Sequence, residues 1–255
     1  MNYFGKYDVL GINVTACNYS YVVDLIEKSI KFKKKLVIAP IASHPIILAY
    51  FNEKLRKIIN KIDLVAPDSQ YVRLALWFLY GVELKDRVYG PELTSRLCKT
   101  AEKKEYKIFL YGNNIPKIKL QLDKLYPKIK ICGFIDLNYK KPRKNNLQIL
   151  KREIYKKKPD LLLFGLGSPR QQIVASELRN QINMPIICVG AAFDFISGAK
   201  KQAPKWMQKN GLEWLFRLIN EPIRLWKRYL IDGTTFIALI LIKKLLAVYQ
   251  NNEKN

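Results

Sequence analysis

Six short apolar runs, separated by stretches of helical periodicity, constrain the fold of this chain more than any other feature. The runs are LVIAPIAS, IDLVAPDS, YKIFLYGNN, IKICGFID, DLLLFGLGS and MPIICVGAAFD. Between them, PIILAYFNEKLRKIINK, QYVRLALWFLYG, IPKIKLQLDKLYP, LQILKREIYKKK and RQQIVASELRNQI carry apolar residues at helical spacing. Strands that are apolar throughout and separated by helices form a parallel sheet covered on both faces. The sequence therefore predicts a doubly wound, Rossmann-like α/β fold.

Polar residues end each apolar run. Ligands of such sheets bind outside the carboxyl ends of the strands, where helix N-termini also direct free N–H groups at anions. We therefore expect the polar strand ends to meet at one rim: Ser43, His44, Asp68, Ser69, Gly112, Asn113, Asp136 and residues 167–172 and 190–194.

The loop GLGSPR follows the fifth run. It fails the GxGxxG pattern because Arg170 stands where the third glycine belongs, so a dinucleotide site is disfavoured. Instead, Gly167 lets the backbone approach a ligand, Ser168 is expected to cap the next helix, Pro169 to lie in its first turn, and Gln171 to offer an amide to the site. The alternative is a strand-to-helix turn without a ligand.

Asp68 follows Pro67 at the exit of a predicted buried strand. A carboxylate there is a candidate general base, because partial burial raises its pKa and it can hydrogen-bond an incoming hydroxyl. The alternative, equally open from the residues, is that Asp68 or Ser69 caps the helix that begins near Gln70.

Arg87 lies in the loop DRVYGPEL, ahead of another predicted helix. An arginine entering the rim can stabilise a departing diphosphate. The alternative is a surface pair with Asp86 or Glu92. For His44, the only histidine, a packing or capping role stands beside ligand contact.

The formal net charge of +24 predicts a partner that carries phosphate, whether nucleic acid, anionic lipid or a nucleotide-linked substrate. Lysine runs such as Lys140-Lys141 are expected to be solvated. Neither DxD nor a His/Cys cluster with ligand spacing occurs, so no metal and no cofactor are expected. The cysteines lack CxxC spacing, and no apolar run follows Met1-Asn2-Tyr3-Phe4, which indicates a cytoplasmic protein.

The composition changes after Gly198, so we predict a core of residues 1–200 and a helical appendage of residues 201–255. Trp206, Trp214 and Trp226 lie among basic residues there, as in membrane-interface segments. We expect Asn220 to cap a helix with Pro222 in its first turn, which would align Arg224 and Arg228 on one face. Residues 234–250 are interpreted as a helix on the membrane surface; the alternative is packing on the core or on another subunit.

These motifs resemble the WecG/TagA/CpsF glycosyltransferases, glycosyltransferase family 26. The similarity spans residues 8–230 and is densest in LGSPRQQ, in IDLVAPDSQ with DRVYGPEL, and in GAAFDFISGAKKQAPKWMQKNGLEWLFRLINEPIRLWKRYL. The resemblance implies an inverting, metal-independent enzyme on a Rossmann-like fold. It would transfer a sugar, often N-acetylmannosamine or its uronic acid, from a UDP donor to a polyprenyl-diphosphate-linked acceptor at the inner face of the plasma membrane.

The resemblance also implies roles for residues. Asp68 would be the catalytic base, Arg87 would assist at the diphosphate or acceptor, and Gln171 would contact the donor. The lipid diphosphate would be held by Arg217, Arg224 and Arg228. The expected substrate-binding residues are Ser43, His44, Ser69, Gly90, Gly112, Asn113, Gly167, Ser168, Pro169, Gly190, Phe193 and Asp194.

Two loops depart from the family pattern. Ala42-Ser43-His44-Pro45 stands where many members have Thr-x-Asn-Pro, and Asp68-Ser69 where many have Asp-Gly. Because these loops border the donor in the family, the identity of the donor sugar stays open: it is N-acetylmannosamine or another hexose. Expected partners are the UDP-sugar, the lipid-linked acceptor, the membrane surface and a second copy of the chain, without nucleic acid. The alternatives are a basic nucleic-acid-binding protein and an inactive membrane-docking partner of polysaccharide machinery.

Overall fold

The computed structural model describes residues 5–138 and 144–252. The interpretations of Met1-Asn2-Tyr3-Phe4 and of Lys140-Lys141 lie outside these residues. Within them the chain forms a short antiparallel hairpin, a parallel sheet between two layers of helices, and a helical C-terminal segment.

The strands are β1 (Lys6–Val9), β2 (Ile12–Thr15), β3 (Leu36–Ile41), β4 (Leu64–Pro67), β5 (Lys107–Gly112), β6 (Lys130–Asp136), β7 (Leu161–Gly165) and β8 (Pro185–Cys188). The helices are α1 (Tyr19–Lys31), α2 (Ser43–Tyr50), α3 (Glu53–Asn60), α4 (Gln70–Tyr80), α5 (Gly90–Lys104), α6 (Ile115–Leu125), α7 (Lys144–Lys157), α8 (Arg170–Leu178), α9 (Ala192–Ile196), α10 (Lys205–Lys209), α11 (Glu213–Asn220), α12 (Pro222–Trp226) and α13 (Asp232–Asn252). A π-helical turn, Lys227–Ile231, joins α12 to α13.

The sheet has six strands in the order β4-β3-β8-β7-β5-β6, and every adjacent pair is parallel. The chain builds one edge with β3 and β4, crosses to build the other with β5 and β6, and then fills the centre with β7 and β8. The strand order thus changes direction within the sheet, and ligands of doubly wound sheets bind at the carboxyl ends of the strands next to such a point. The predicted fold class is confirmed, and each predicted apolar run contains a strand of the sheet.

Alternate residues of each strand enter separate cores on the two faces. Val37, Phe109 and Phe164 pack on one face with helices α2, α3, α4 and α8. Ile38 and Leu163 pack on the other with α1, α5 and α6. Burial of both faces is the reason these strands are apolar at every position rather than at every second one.

Two parts of the fold differ from the sequence pattern. The predicted helix over residues 45–61 is two helices, α2 and α3, because Asn52 lies between them in extended conformation and its side chain accepts a hydrogen bond from the N–H of Leu55. Hairpin β1–β2 was not predicted; Val9, Ile12 and Val14 bury its inner side against the sheet layer.

The C-terminal segment returns across the core. In α13, Phe236 and Ile240 are buried in the first core, and the helix packs on α2 and α4. The ammonium of Lys243 binds the carboxylate and the carbonyl oxygen of Asp8. One side of α13 therefore packs on the core as the alternative interpretation held, while its outer side exposes apolar residues: Ile237, Leu241, Leu245 and Tyr249.

The prediction that Asn220 caps the next helix is wrong. Asn220 is the last residue of α11, and its amide donates to the carbonyl of Phe216, so it is turned away from α12. Pro222 does lie in the first turn of α12, as expected. Among the described helices, α13 included, we find none that is both long enough and apolar enough to cross a membrane.

Candidate active site

A cavity of about 450 Å³ lies at the carboxyl ends of the parallel strands. The loops after β3, β4, β7 and β8 form its floor and walls, and the C-terminal segment covers it. Eleven of the predicted site residues line it: Asp68, Gly90, Asn113, Gly167, Ser168, Gln171, Gly190, Asp194, Arg217, Arg224 and Arg228. The sheet thus brings strand ends from across its width to one rim.

A second cavity, of about 330 Å³, adjoins the first. Its predicted residues are Ser43, Asp68, Ser69, Arg87, Arg217 and Arg228, and helices α4 and α11 supply other walls. The residues common to both cavities are Ala42, Asp68, Tyr89, Arg217 and Arg228. Asp68 is the one acidic residue that lines both cavities among the described residues, so its carboxylate stands where two bound molecules would meet.

Gly165 explains why a glycine ends β7. The ring of Phe193, from the helix that follows β8, lies against the α-carbon of Gly165 so closely that an added Cβ would collide with it. Phe193 is buried and lines neither cavity; it supports the cavity floor from below. Gly167, two residues later, has φ +74°, a conformation that side-chain-bearing residues avoid.

Gln171 is buried in the first turn of α8. Its side-chain oxygen accepts a hydrogen bond from the N–H of Gly190 at 3.0 Å, so the loops after β7 and β8 are joined at the cavity wall. The predictions for Ser168 and Pro169 are wrong in detail. Helix α8 begins at Arg170 with Pro169 as its N-cap residue, and the Ser168 hydroxyl donates to Gln172 instead of capping the helix.

Asp68 does not cap α4. Ser69 does, with its hydroxyl accepting from the N–H of Val72 at 3.3 Å. The carboxylate of Asp68 is therefore free to face the cavities, and its Oδ1 accepts from the N–H of Gly90 at 3.0 Å. Burial raises the pKa of Asp68 above its ordinary value, against the opposing effects of the Arg87 charge and the Gly90 hydrogen bond.

Arg87 is buried, with 9% of its surface exposed, and it does not pair with Asp86 or Glu92. One nitrogen donates to the backbone oxygen of Asp68 at 3.2 Å, another donates to the carboxylate of Glu213, and the guanidinium stacks on the ring of Tyr89. The surface-pair alternative is wrong, because the partner comes from the C-terminal segment.

The C-terminal arginines converge on the cavities. Arg217 and Arg228 line both, and Arg224 lines the first, where it binds Glu221 at 2.6 Å. Burial, and then the nearby charges of Arg217 and Arg224, lower the pKa of Arg228 from its ordinary value. The Nε of Arg217 is buried without a hydrogen-bond partner. Arginines held close together in this way favour a polyanion between them.

Four of the expected substrate-binding residues line neither cavity: His44, Gly112, Pro169 and Phe193. Asp136, which we expected at the rim, also lines neither cavity. His44 binds Asp232 at 2.5 Å, which joins the start of α2 to the start of α13. Burial, followed by the charge of Arg228, lowers the pKa of His44. Gly112 ends β5, where a Cβ would strike the carbonyl oxygen of Gly165.

Three residues at the site were missed from the sequence: Tyr89, Lys200 and Glu213. Glu213 is 8% exposed and accepts from Arg87 and from the hydroxyl of Tyr89. Lys200 binds Asp194 at 2.5 Å beside the first cavity. The sequence did contain a signal for Glu213, because this acid lies inside the apolar stretch GLEWLF. An acid buried in such a stretch needs a partner of opposite charge, which could have been sought among the arginines. No group of three or more His, Cys, Asp or Glu residues in the described ranges is arranged to hold a metal ion.

Comparison with known proteins identifies the family. The model of the Glycosyl transferase WecG/TagA/CpsF family matches residues 7–249. An N-acetylglucosaminyldiphosphoundecaprenol N-acetyl-beta-D-mannosaminyltransferase of Bacillus subtilis is 31% identical over 218 residues, which cover 84% of this chain and 82% of the relative. Proteins of the same name are 28% identical in Bacillus spizizenii, covering 70% of this chain and 68% of the relative, and 26% identical in Staphylococcus aureus, covering 88% and 86%. The predicted enzyme class is thereby confirmed, and the chain belongs to the WecG/TagA/CpsF family of glycosyltransferases.

Proposed function

We propose that this glycosyltransferase moves a sugar with inversion from a UDP donor to a polyprenyl-diphosphate-linked saccharide in cell-surface polysaccharide synthesis. The observation that carries the proposal is the position of Asp68, a partly buried carboxylate that borders both cavities. A transferase with two substrates needs its base where the acceptor hydroxyl meets the anomeric carbon.

In this mechanism the first cavity takes the UDP-sugar. Gly167, Gln171 and Gly190 border the nucleotide side, with Asp194 beside Lys200 at the rim. Negative charge develops on the departing diphosphate as its bond to the anomeric carbon breaks, and fixed positive charge beside it stabilises that charge. Arg224, expected from the resemblance to hold the lipid diphosphate, lines the first cavity and not the second, so we propose that it supplies such positive charge together with Arg228.

The second cavity takes the acceptor. Its hydroxyl oxygen attacks the anomeric carbon from the face opposite UDP, the bond from that carbon to the diphosphate oxygen breaks, and Asp68 accepts the hydroxyl proton. Arg217 and Arg228 line this cavity too and bind the lipid diphosphate, while Arg87 fixes the loop beside Asp68. No metal or cofactor takes part in these steps.

N-acetylmannosamine is the donor sugar we propose, and N-acetylglucosamine on undecaprenyl diphosphate the acceptor. The names of the relatives in Bacillus and Staphylococcus support this choice. The two loops that depart from the family pattern bear on it, because Ala42 lines both cavities and Ser69 the second. Other UDP-hexoses therefore belong in the test.

The deciding experiment mixes purified protein with single UDP-sugars and a short-chain polyprenyl diphosphate carrying N-acetylglucosamine, and measures products by mass spectrometry. We expect one added N-acetylhexosamine from UDP-N-acetylmannosamine. Transfer from another UDP-sugar alone would replace the proposed donor. No transfer from any donor, with salt-dependent binding of nucleic acid, would instead favour the basic nucleic-acid-binding alternative; no transfer and no such binding would favour an inactive docking partner.

We further propose that the enzyme acts at the inner face of the plasma membrane, with residues 1–200 as the transferase core and residues 201–255 as an appendage that closes the site. The exposed apolar side of α13 and the exposed Trp206 and Trp226 support contact with lipid. Association with a second copy of the chain remains part of the proposal, and the same apolar surface is the candidate contact.

A further inference from the structure

Glu213 is the buried acid that neither the resemblance nor the names of the relatives assign. It is the first residue of α11, in the C-terminal segment, and it reaches into the loop between α4 and α5. Its carboxylate accepts from Arg87 with one oxygen and from the hydroxyl of Tyr89 with the other, the latter at 3.0 Å. Both carboxylate oxygens are used by the same three-residue stretch of chain.

That stretch, together with the next residue, Gly90, also holds Asp68. Arg87 donates to the backbone oxygen of Asp68, Val88 donates to the backbone oxygen of Pro67 at 2.8 Å, and Gly90 donates to the Asp68 carboxylate. Asp68 is thus fixed at its backbone and at its side chain by residues 87–90. Glu213 in turn fixes residues 87 and 89.

Charge gives Glu213 a second effect. Burying a guanidinium without a counter-charge costs free energy of folding. A guanidinium next to a carboxylate also lowers the pKa of that carboxylate, which makes it a weaker base. Among the described residues, five charged or titratable groups face Asp68: Arg87 and Tyr89 from the loop, Glu213 and Arg217 from α11, and Arg228 from the π-helical turn. Glu213 is the one acid in this set. Its negative charge offsets the positive charges that lower the pKa of Asp68, and so keeps Asp68 a stronger base.

We propose that Glu213 is a positioning residue for the transfer reaction: by binding Arg87 and Tyr89 it locks the loop that orients Asp68, and it does so only when the C-terminal segment is docked. The inference rests on the proposed function in one respect, the role of Asp68 as the base.

The test uses Glu213→Gln in the full chain, which removes the charge and keeps a side chain of the same shape. We expect kcat to fall by about tenfold or more while the donor KM changes by less than about threefold. The acidic limb of the kcat/KM profile should move to lower pH. Because Arg87 carries the effect, Arg87→Gln with Glu213→Gln should be no slower than Arg87→Gln alone.

Controls separate position from folding. Glu92→Gln removes an acid that pairs with Arg96 at the surface, away from both cavities, and should leave all these quantities unchanged. If Glu213→Gln alone does not fold, as judged by thermal unfolding, the double variant leaves no uncompensated guanidinium at residue 87, and Glu213→Asp retains the charge. An unmoved acidic limb, or losses that add in the double variant, would overturn the inference.

A measurement without substrate distinguishes the two proposals. The carboxyl carbon of Asp68 can be titrated by NMR, assigned by its disappearance in Asp68→Asn, and its pKa should fall in Glu213→Gln. A fall in a protein that transfers no sugar would refute the proposed function and leave only the electrostatic link between Glu213 and Asp68 standing. An unchanged pKa in an active transferase would do the reverse.

Discussion

The carboxylate of Asp68 accepts a hydrogen bond of 3.0 Å from the backbone N–H of Gly90, a residue 22 positions further along the chain. Ser69, not Asp68, caps α4, so neither carboxylate oxygen of Asp68 is needed as a helix cap. A Cβ on Gly90 would lie 2.9 Å from the carbonyl oxygen of Val189. The glycine thus allows the loop to approach both β4 and the loop after β8.

Asp68→Asn should lower turnover by about 100-fold or more, because the amide cannot accept the acceptor's proton. The amide oxygen can still accept from Gly90, and removal of a desolvated charge does not weaken the fold, so the melting temperature should stay equal or rise. Steady-state rates and thermal unfolding measure the two effects. Asp136→Asn, at the end of β6 and away from both cavities, is the matched control. A variant with normal turnover would remove Asp68 from the mechanism.

The pH dependence of the reaction follows from the raised pKa of Asp68. The base acts when deprotonated, so kcat/KM should decline as the pH falls through this pKa, at a higher pH than an ordinary aspartate would give. The profile of the wild type, recorded at constant ionic strength, measures the limb. An acidic limb in the ordinary aspartate range would show that Asp68 does not limit the reaction.

Arg228→Gln should weaken UDP binding by about tenfold, since one charge-assisted contact to the diphosphate is lost. The free protein should not become less stable, because the substitution relieves repulsion from Arg217 and Arg224. Calorimetric titration with UDP and thermal unfolding without it test both parts. Lys227→Gln changes an exposed neighbour that stacks on Trp226 and should bind UDP normally. Equal UDP affinities for the two variants would contradict the arginine cluster as the diphosphate site.

Gly165→Ala should destabilise the protein by about 1–3 kcal/mol, the usual cost of forcing a group into a filled core. The added methyl would meet the ring of Phe193, which is itself buried. Chemical unfolding measures the loss, and Phe193→Leu in the same chain should recover part of it by making room. A Gly165→Ala protein of normal stability would show that the ring can move aside.

Leu245→Asp should reduce flotation with vesicles of anionic lipid and leave the melting temperature nearly unchanged, because Leu245 is 69% exposed on the outer side of α13. Phe236→Ala is the counterpart on the inner side. Phe236 is 2% exposed, and its truncation should cost about 3–5 kcal/mol of stability. Undiminished flotation of Leu245→Asp, with loss of self-association in sedimentation, would assign the outer side to a second copy of the chain.

The sheet could be predicted because its signal is local. Leu36–Ile41 and Leu161–Gly165 are buried on both faces, so each strand is visible as an apolar run by itself. Hairpin strand Lys6–Val9 carries charged residues at alternate positions in only four residues, too short for its period to be recognised. The division between α2 and α3 depends on one cap, Asn52, within a continuous helical pattern.

The site was predictable only in part, for the same physical reason. Strand ends of a parallel sheet meet at one rim whatever the details of the loops, so the convergence of Asp68 and Gln171 on one cavity follows from the topology. The topology does not give the partner of Arg87, because Glu213 is 126 positions away along the chain. The sequence alone pointed instead to Asp86 or Glu92, which are close to Arg87 in the chain. Contacts of this separation depend on how the C-terminal segment docks.

The strand order β4-β3-β8-β7-β5-β6 has a consequence for biosynthesis. The strands translated last, β7 and β8, occupy the middle, so a ribosome releases β3 with β4 and then β5 with β6 as two separate ribbons with open inner edges. We expect the nascent chain to remain unjoined and exposed to chaperones until residues 161–188 emerge and insert between them. The loops after β7 and β8 therefore join the rim late, and only the C-terminal segment, with Arg217, Arg224 and Arg228, is added to the cavities after them.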